Sequence, residues 1–189
     1  MGIIDLLFNT KSAFVPNPNE TEYENWLNFV REGGTTAEWN QLKKENKWKF
    51  KKDPTTEFMR YEKEFRPAFK KYSDSAAKVK NDWLALYHSK NYTGIKAKIF
   101  EKTCLKNIEY YKVVFAIEEK YKEDHMTSIE GSKRLAMLYE NQGRYEEAVS
   151  VCKEACILKA HEHSRMKRMI KKAGRIPTAE EMSLIEGSE

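Results

Sequence analysis

The sequence predicts an all-α protein, and three observations carry that reading. Only 8 glycines and 5 prolines interrupt 189 residues, while Lys, Glu, Ala and Leu are plentiful, a composition suited to long helices. Apolar residues recur at intervals of three and four along nearly the whole chain. Residues that start and stop helices stand at the ends of those periodic segments. Period-two alternation is confined to "KWKFK" at 47–51. Hydrophobic residues make up 40%, enough for a core, and no apolar run reaches the length of a membrane span.

Residues 1–20 read as an extended lead-in containing Pro16 and Pro18. Ile3, Ile4, Leu6, Leu7 and Phe8 form a short apolar stretch interrupted by Asp5, with no basic residue before it, unlike a secretory signal. Position 6 is Leu where an N-myristoylation site wants Ser or Thr after Gly2. This stretch is expected to dock on the body as one amphipathic turn, with a membrane or partner anchor as the alternative. Tyr23, Trp26, Leu27 and Val30 then mark one face of a helix that Thr21 and Glu24 can cap and Gly33-Gly34 can end. A second helix starts at Thr35 or Thr36.

Asp53 followed by Pro54 opens the third segment, with Phe58, Tyr61, Phe65, Phe69 and Tyr72 on one face. Pro67 lies inside that pattern and is expected to kink or split the helix. "SDSAAKVKNDWLALYHSK" follows as a further helix through Ala76, Val79, Trp83 and Leu86. After Gly94 a long stripe runs through Ala97, Phe100, Cys104, Ile108, Tyr111 and Phe115, with Asn107 as a candidate break.

Residues 133–155, "KRLAMLYENQGRYEEAVSVCKEA", are the most regular stretch. Leu135, Ala136, Tyr139, Gly143, Tyr145, Ala148, Cys152 and Ala155 resemble the tetratricopeptide repeat, a 34-residue helix–turn–helix unit, with Ile129 as position 1. Small Ala136 and Ala148 permit close helix approach, Gly143 suits the turn, and Thr127 with Glu130 suits the cap. Ser132 stands where the family favours Trp, Cys152 where it favours an aromatic, and Ala160 where it favours Pro. One period earlier the match is degenerate: Leu105, Tyr111, Val114 and Tyr121 fit, but Glu101, Lys102 and Glu118 do not. One period later, Met166, Met169, Ile170 and Ala173 form a narrow stripe on a helix carrying 6 basic and no acidic residues over 165–175, like a terminal cap. Gly174 is expected to end it, and Thr178 can start a last short helix.

The resemblance implies a short right-handed array of helical hairpins over 94–175, after an N-terminal helical region (1–93) and before a tail (176–189). It further implies a non-enzymatic scaffold or adaptor that holds a protein or peptide segment against the first helix of each hairpin. The groove-facing positions carried over are Glu130, Lys133, Met137 and Glu140. Relatives that clamp a C-terminal carboxylate want Lys and Asn at the second and third of these; Lys133 fits and Met137 does not. An ordinary solvated helix face is the competing account of the four.

A different function class rests on 43–80, with 13 basic against 6 acidic residues. Lys47, Lys49 and Lys51 can neutralise phosphates while Trp48 and Phe50 stack on bases. The alternative is that both rings are buried and the lysine stems lie over them. Cys152, Cys156 and His163 share a helical face, but seven residues at about 1.5 Å each put His163 roughly 10 Å from Cys156, too far for one zinc. No glycine-rich phosphate loop, G-x-S-x-G or H-E-x-x-H occurs, so neither catalysis nor a cofactor is expected. An odd cysteine count of 3, with no export signal, points to reduced thiols and the cytoplasm.

Overall fold

The computed structural model describes residues 14–187, so the expectations about Gly2 and Ile3 to Phe8 lie outside the described residues. Among the described residues the chain is helical throughout, with no strand. The helices are α1 (Glu22–Arg31), α2 (Thr36–Asn46), α3 (Pro54–Ser89), α4 (Ile95–Tyr121), α5 (Glu130–Asn141), α6 (Tyr145–Ile157), α7 (His163–Lys172) and α8 (Ala179–Glu186). No helix among the described residues is long and apolar enough to cross a membrane. The chain divides into two compact units at Arg60/Tyr61. The boundary read from the sequence, 93/94, falls inside the second unit, because rings on either side of it interlock: Trp83 lies 5.7 Å from Phe100.

In the first unit, helix ends follow the sequence closely. Thr21 and Thr35 each accept from the amide three residues on, and Glu24 and Glu38 return the bond to the cap amide. The buried face of α1 is not the one expected, however. Tyr23 is 63% and Val30 39% exposed, while Asn25 and Phe29 are buried. Asn25 decides this. Its Oδ1 accepts from the Asn17 amide (2.6 Å) and its Nδ2 donates to the Asn17 (2.9 Å) and Thr21 (3.0 Å) carbonyls. A polar residue thus ties the lead-in to the helix and turns Phe29 inward, a choice that counting apolar residues cannot detect.

In the second unit, α3 runs unbroken through the exposed Pro67 and joins the two helices read from the sequence. Stacked rings run along this stretch, Tyr61 on Phe65 (4.8 Å) and, across the proline, Phe65 on Phe69 (5.2 Å). From Tyr61 on, α3 lies antiparallel to α4: Tyr61 meets Tyr121, Tyr72 meets Tyr111 and Trp83 meets Phe100. Then α4 packs on α5, α5 on α6, and α6 on α7, with α8 against α6 and α7. Each helix from α3 to α7 thus packs on the next, and the helices from α3 to α8 share one core.

Asn107 breaks nothing; α4 is one helix, and Asn107 is fully buried within it. Its Oδ1 accepts from the Gly131 amide (2.8 Å) and its Nδ2 donates to the Tyr72 carbonyl (3.2 Å). The Glu130 amide donates to the Tyr72 hydroxyl (3.4 Å). The first free amides of α5 are therefore satisfied by side chains of α3 and α4. Thr127 is not the cap; the cap residue is Ile129, which makes no side-chain bond, and the Thr127 carbonyl instead accepts from the His161 amide (2.8 Å). A Cβ on Gly131 would stand 2.7 Å from the Cys104 carbonyl oxygen, so only glycine lets α5 approach α4 this closely. Ser132, next in the chain, is also buried.

Between α5 and α6 the chain reverses at Gly143, whose φ of 73° suits glycine. The Arg144 amide donates to the Tyr139 carbonyl (2.9 Å) and that of Gly143 to Glu140 (3.2 Å), closing the helix end. Ala136, Ala148, Cys152 and Ala155 are fully buried across the pair. Four lysines, Lys47, Lys90, Lys122 and Lys159, also follow helix ends with positive φ, where their charge complements the C-terminal dipole.

Besides the packing of Leu184 and Ile185 on the core, charge ties α8 to α6. Arg175 donates to Glu181 through two nitrogens, each at 2.8 Å, and to Glu146 of α6 at 2.8 and 3.0 Å. The Arg175 bonds, helped by the Thr178 amide, hold the Glu181 carboxyl down to a pKa of about 2 against the opposing pull of burial. A depressed acid stabilises fully above its unfolded pKa and fades as pH falls toward the folded one. Amide exchange over α8, taken relative to the intrinsic rate at each pH, is expected to become progressively faster from roughly pH 4.5 down to 2 while α5 and α6 stay protected. Glu181→Gln is expected to bring that faster exchange to neutral pH; unchanged protection of α8 in the variant would remove Arg175 as its anchor.

Candidate functional site

The outward face of α5 is determined by its inward one. Leu135, Ala136, Leu138 and Tyr139 are buried, so Glu130, Lys133, Met137 and Glu140 share the opposite side at spacings of 3, 4 and 3. All four are half-buried. The face is bordered by α3 on one side, where the Arg134 guanidinium lies 5.8 Å from the Trp83 ring centre. On the other side α7 sends Arg168 (2.8 Å) and Lys172 (2.7 Å) to the Glu140 carboxylate.

Those contacts divide the four residues into two kinds. Glu130 accepts from Arg134 Nε at 2.7 Å, and Arg134 also reaches the Met137 sulfur (3.7 Å). Burial raises the Glu140 acid, but the bonds from Lys172 and Arg168 outweigh it and hold the carboxyl below its usual range. The two glutamates are therefore engaged within the protein. Lys133 has no carboxylate partner among the described residues, and Met137, one turn on, is half-buried with its sulfur against Arg134. A flexible apolar side chain next to an uncommitted ammonium is a surface that can adapt to a bound segment.

Sequence reasoning missed Arg134, Arg168 and Lys172. Arg134 was legible, one residue from Lys133 on the same helix. Arg168 and Lys172 were visible only as a basic cap, since their role depends on the neighbouring helix that brings them to Glu140. At the foot of the face, Tyr139 donates to Glu101 of α4 (2.7 Å), with Arg144 stacked 4.1 Å from the Tyr139 ring centre. Burial first, then the Glu101 carboxylate, push the Tyr139 hydroxyl well above its ordinary pKa, so it remains a donor.

The basic-aromatic segment is organised differently. Lys47, Lys49 and Lys51 are exposed. The rings of Trp48 and Phe50 lie 5.3 and 5.7 Å from that of the buried Trp39, inside a cluster with Phe14 and Phe29. The Lys51 amide donates to the Glu20 carbonyl (2.9 Å), pinning the segment beside the lead-in.

Cys104, Cys152 and Cys156 are buried and unbridged. Burial pushes the Cys104 and Cys152 thiols far up and that of Cys156 up to about 11, so none is a thiolate near neutral pH. Among the described residues no group of three His, Cys, Asp or Glu side chains is placed to hold a metal ion. Comparison of the chain with protein-family models, with curated proteins and with solved structures returned no significant match, so the outward face of α5 is judged on its own geometry.

Proposed function

We propose that this protein is a non-enzymatic binding module that holds a peptide or protein segment across α5, between α3 and α7. In this reading the helix pairs α3/α4, α5/α6 and α7/α8 act as tetratricopeptide-like hairpins, α3, α5 and α7 being the first helices that line the groove. The observation that carries it is the α5 face itself. The neighbouring helices bury one side of α5 and leave Lys133 and Met137 half-exposed at its centre, Lys133 without a carboxylate partner among the described residues and Met137 held on its outer side by Arg134 alone. Flanking Glu130 and Glu140 are locked by Arg134, Arg168 and Lys172, which makes the rim rigid. A rigid rim around an adaptable centre limits the ordering cost of binding. Lys133 supplies a donor for a ligand carboxylate or carbonyl, and Met137 a contact for an apolar side chain.

The test is selection of ligands from a displayed random-peptide library on the full chain, followed by affinity measurements on variants. Met137→Glu and Lys133→Glu are each expected to weaken the selected peptides about tenfold or more, with unchanged melting. Lys47→Ala/Lys49→Ala/Lys51→Ala is expected to have no effect. A library that yields nothing, or ligands indifferent to Met137→Glu, removes the proposal. The nucleic-acid alternative keeps its exposed lysines, but Trp48 and Phe50 are engaged with Trp39. Oligonucleotide binding that falls steeply with salt and is abolished in the triple-lysine variant would restore it.

A further inference from the structure

The side of the α3/α4 pair turned away from α5 carries a second surface. α4 meets α5 through Glu101, Cys104 and Asn107. At about 100° per residue, Ile99, Lys106 and Tyr110 lie on the opposite side of that helix. There, between α3 and α4, runs an open trough of about 600 Å³. Its floor is apolar: Ile99 is 56% exposed, and Tyr110 lines the far end. Ile95 and Val113, also exposed, extend the same stripe along α4.

Four lysines frame this floor, Lys71 and Lys78 from α3, Lys102 and Lys106 from α4. Lys71, Lys102 and Lys106 have no carboxylate partner among the described residues. Lys78 is paired with Asp82 (2.5 Å), and the one acid in the lining, Asp74, is paired with Lys70 (2.7 Å). Cations on both helices, with no free carboxylate between them, bracket exposed isoleucine and tyrosine.

We propose that this trough docks an acidic amphipathic helix of a partner protein. Charge complementarity selects the sign: carboxylates along both flanks of the incoming helix meet lysines on both walls, and the apolar stripe between them covers Ile99 and Tyr110. The shape selects a helix. The trough lies along two antiparallel helices, and the stretch of α4 from Ile99 to Tyr110 spans roughly 16 Å, about three helical turns. An extended segment would bring unpaired amides and carbonyls against the apolar floor, whereas a helix satisfies its own backbone. A phosphate backbone would meet the lysines but leave the floor exposed to water, which disfavours nucleic acid as the occupant. This surface is separate from the α5 face, and its use does not depend on that face being a binding groove.

The probe is a fluorescent designed helix of about four turns, leucines on one face and glutamates on both flanks, titrated by anisotropy against the full chain. The controls are a basic version with lysine for glutamate and a proline-interrupted acidic version. Wild type is expected to bind the acidic helix at least about tenfold more tightly than either control. Lys102→Glu/Lys106→Glu, at exposed positions, is expected to abolish that preference and to gain binding of the basic helix, with unchanged melting. Ile99→Glu is expected to abolish binding of the acidic helix, and Met137→Glu to leave it unaltered. Binding that survives the lysine reversal overturns the proposal. So does binding lost in Met137→Glu, which would place the peptide on α5. A dimer in sedimentation that Ile99→Glu dissociates would make a second copy the occupant. Duplex binding stronger than peptide binding, and lost in the lysine reversal, would make nucleic acid the occupant.

Discussion

Asn107→Ala is expected to destabilise the second unit by about 3 kcal/mol, a fall in melting temperature of roughly 10 °C. The amide of Asn107 serves three helices at once. It accepts from the Gly131 amide in α5, donates to the Tyr72 carbonyl in α3, and projects from α4 with no exposure to solvent. Removing it leaves the Gly131 N–H, which lies in the first turn of α5 and has no intrahelical acceptor, buried without a partner. Alanine also opens a small void where three helices meet. Gly131→Ala is expected to act in the same direction by a different route, since its methyl group would press on the Cys104 carbonyl and force α5 away from α4. Thermal unfolding followed by circular dichroism checks both. A shift in Asn107→Ala of no more than about 2 °C would show that the α5 amide is satisfied some other way.

Trp39→Ala is expected to unfold the first unit while leaving the second intact. Trp39 is the hub of its core, with ring centres of Phe14, Phe29, Trp48 and Phe50 between 5.3 and 5.9 Å away. Truncating a buried tryptophan costs about 3–5 kcal/mol. A unit of about 60 residues has little more than that to lose. Limited trypsinolysis at neutral pH reads the outcome directly. Wild type is expected to resist cleavage at Lys43, Lys44 and Lys47, whereas Trp39→Ala is cut there with the helices from α4 onward retained. Equal resistance in the two proteins would mean that the aromatic cluster does not hold this unit together. The same experiment bears on the basic segment, because Trp48 and Phe50 are released for stacking only when this core opens.

Much of this architecture is readable one helix at a time, and the reason is local physics. Capping boxes need only residues three apart: the one expected at Thr21 forms, and Thr35 and Thr178, read as helix starts, form two more. The α5/α6 pair, with Gly143 at its turn and alanines at its contact, follows from side-chain volume and one backbone angle. Where local rules fail, a distant residue has intervened. Pro67 does not split α3, and on either side of it Tyr61 and Tyr72 pack on Tyr121 and Tyr111 of α4. Asn107 looks like a helix breaker in isolation, and becomes a ligand for two other helices once α3 and α5 are beside it.

The candidate site divides along the same line. Lys133 and Met137 were recoverable from register on α5. That Glu130 and Glu140 are already engaged was not, because Arg168 and Lys172 reach Glu140 from 28 and 32 residues away. The lysine-framed trough was invisible for the same reason, since Lys71 and Lys106 adjoin only after α3 and α4 have folded antiparallel.

By itself, then, the amino-acid order determines the all-helical character, most helix ends and the α5/α6 turn, all properties of neighbours within one or two turns. Only the tertiary structure decided which face of α1 is buried, what satisfies the start of α5, and which charges remain available on α5 and along the trough. Those outcomes depend on desolvation and pairing between helices far apart in the chain, and a buried polar group is stable only where another helix supplies its partner.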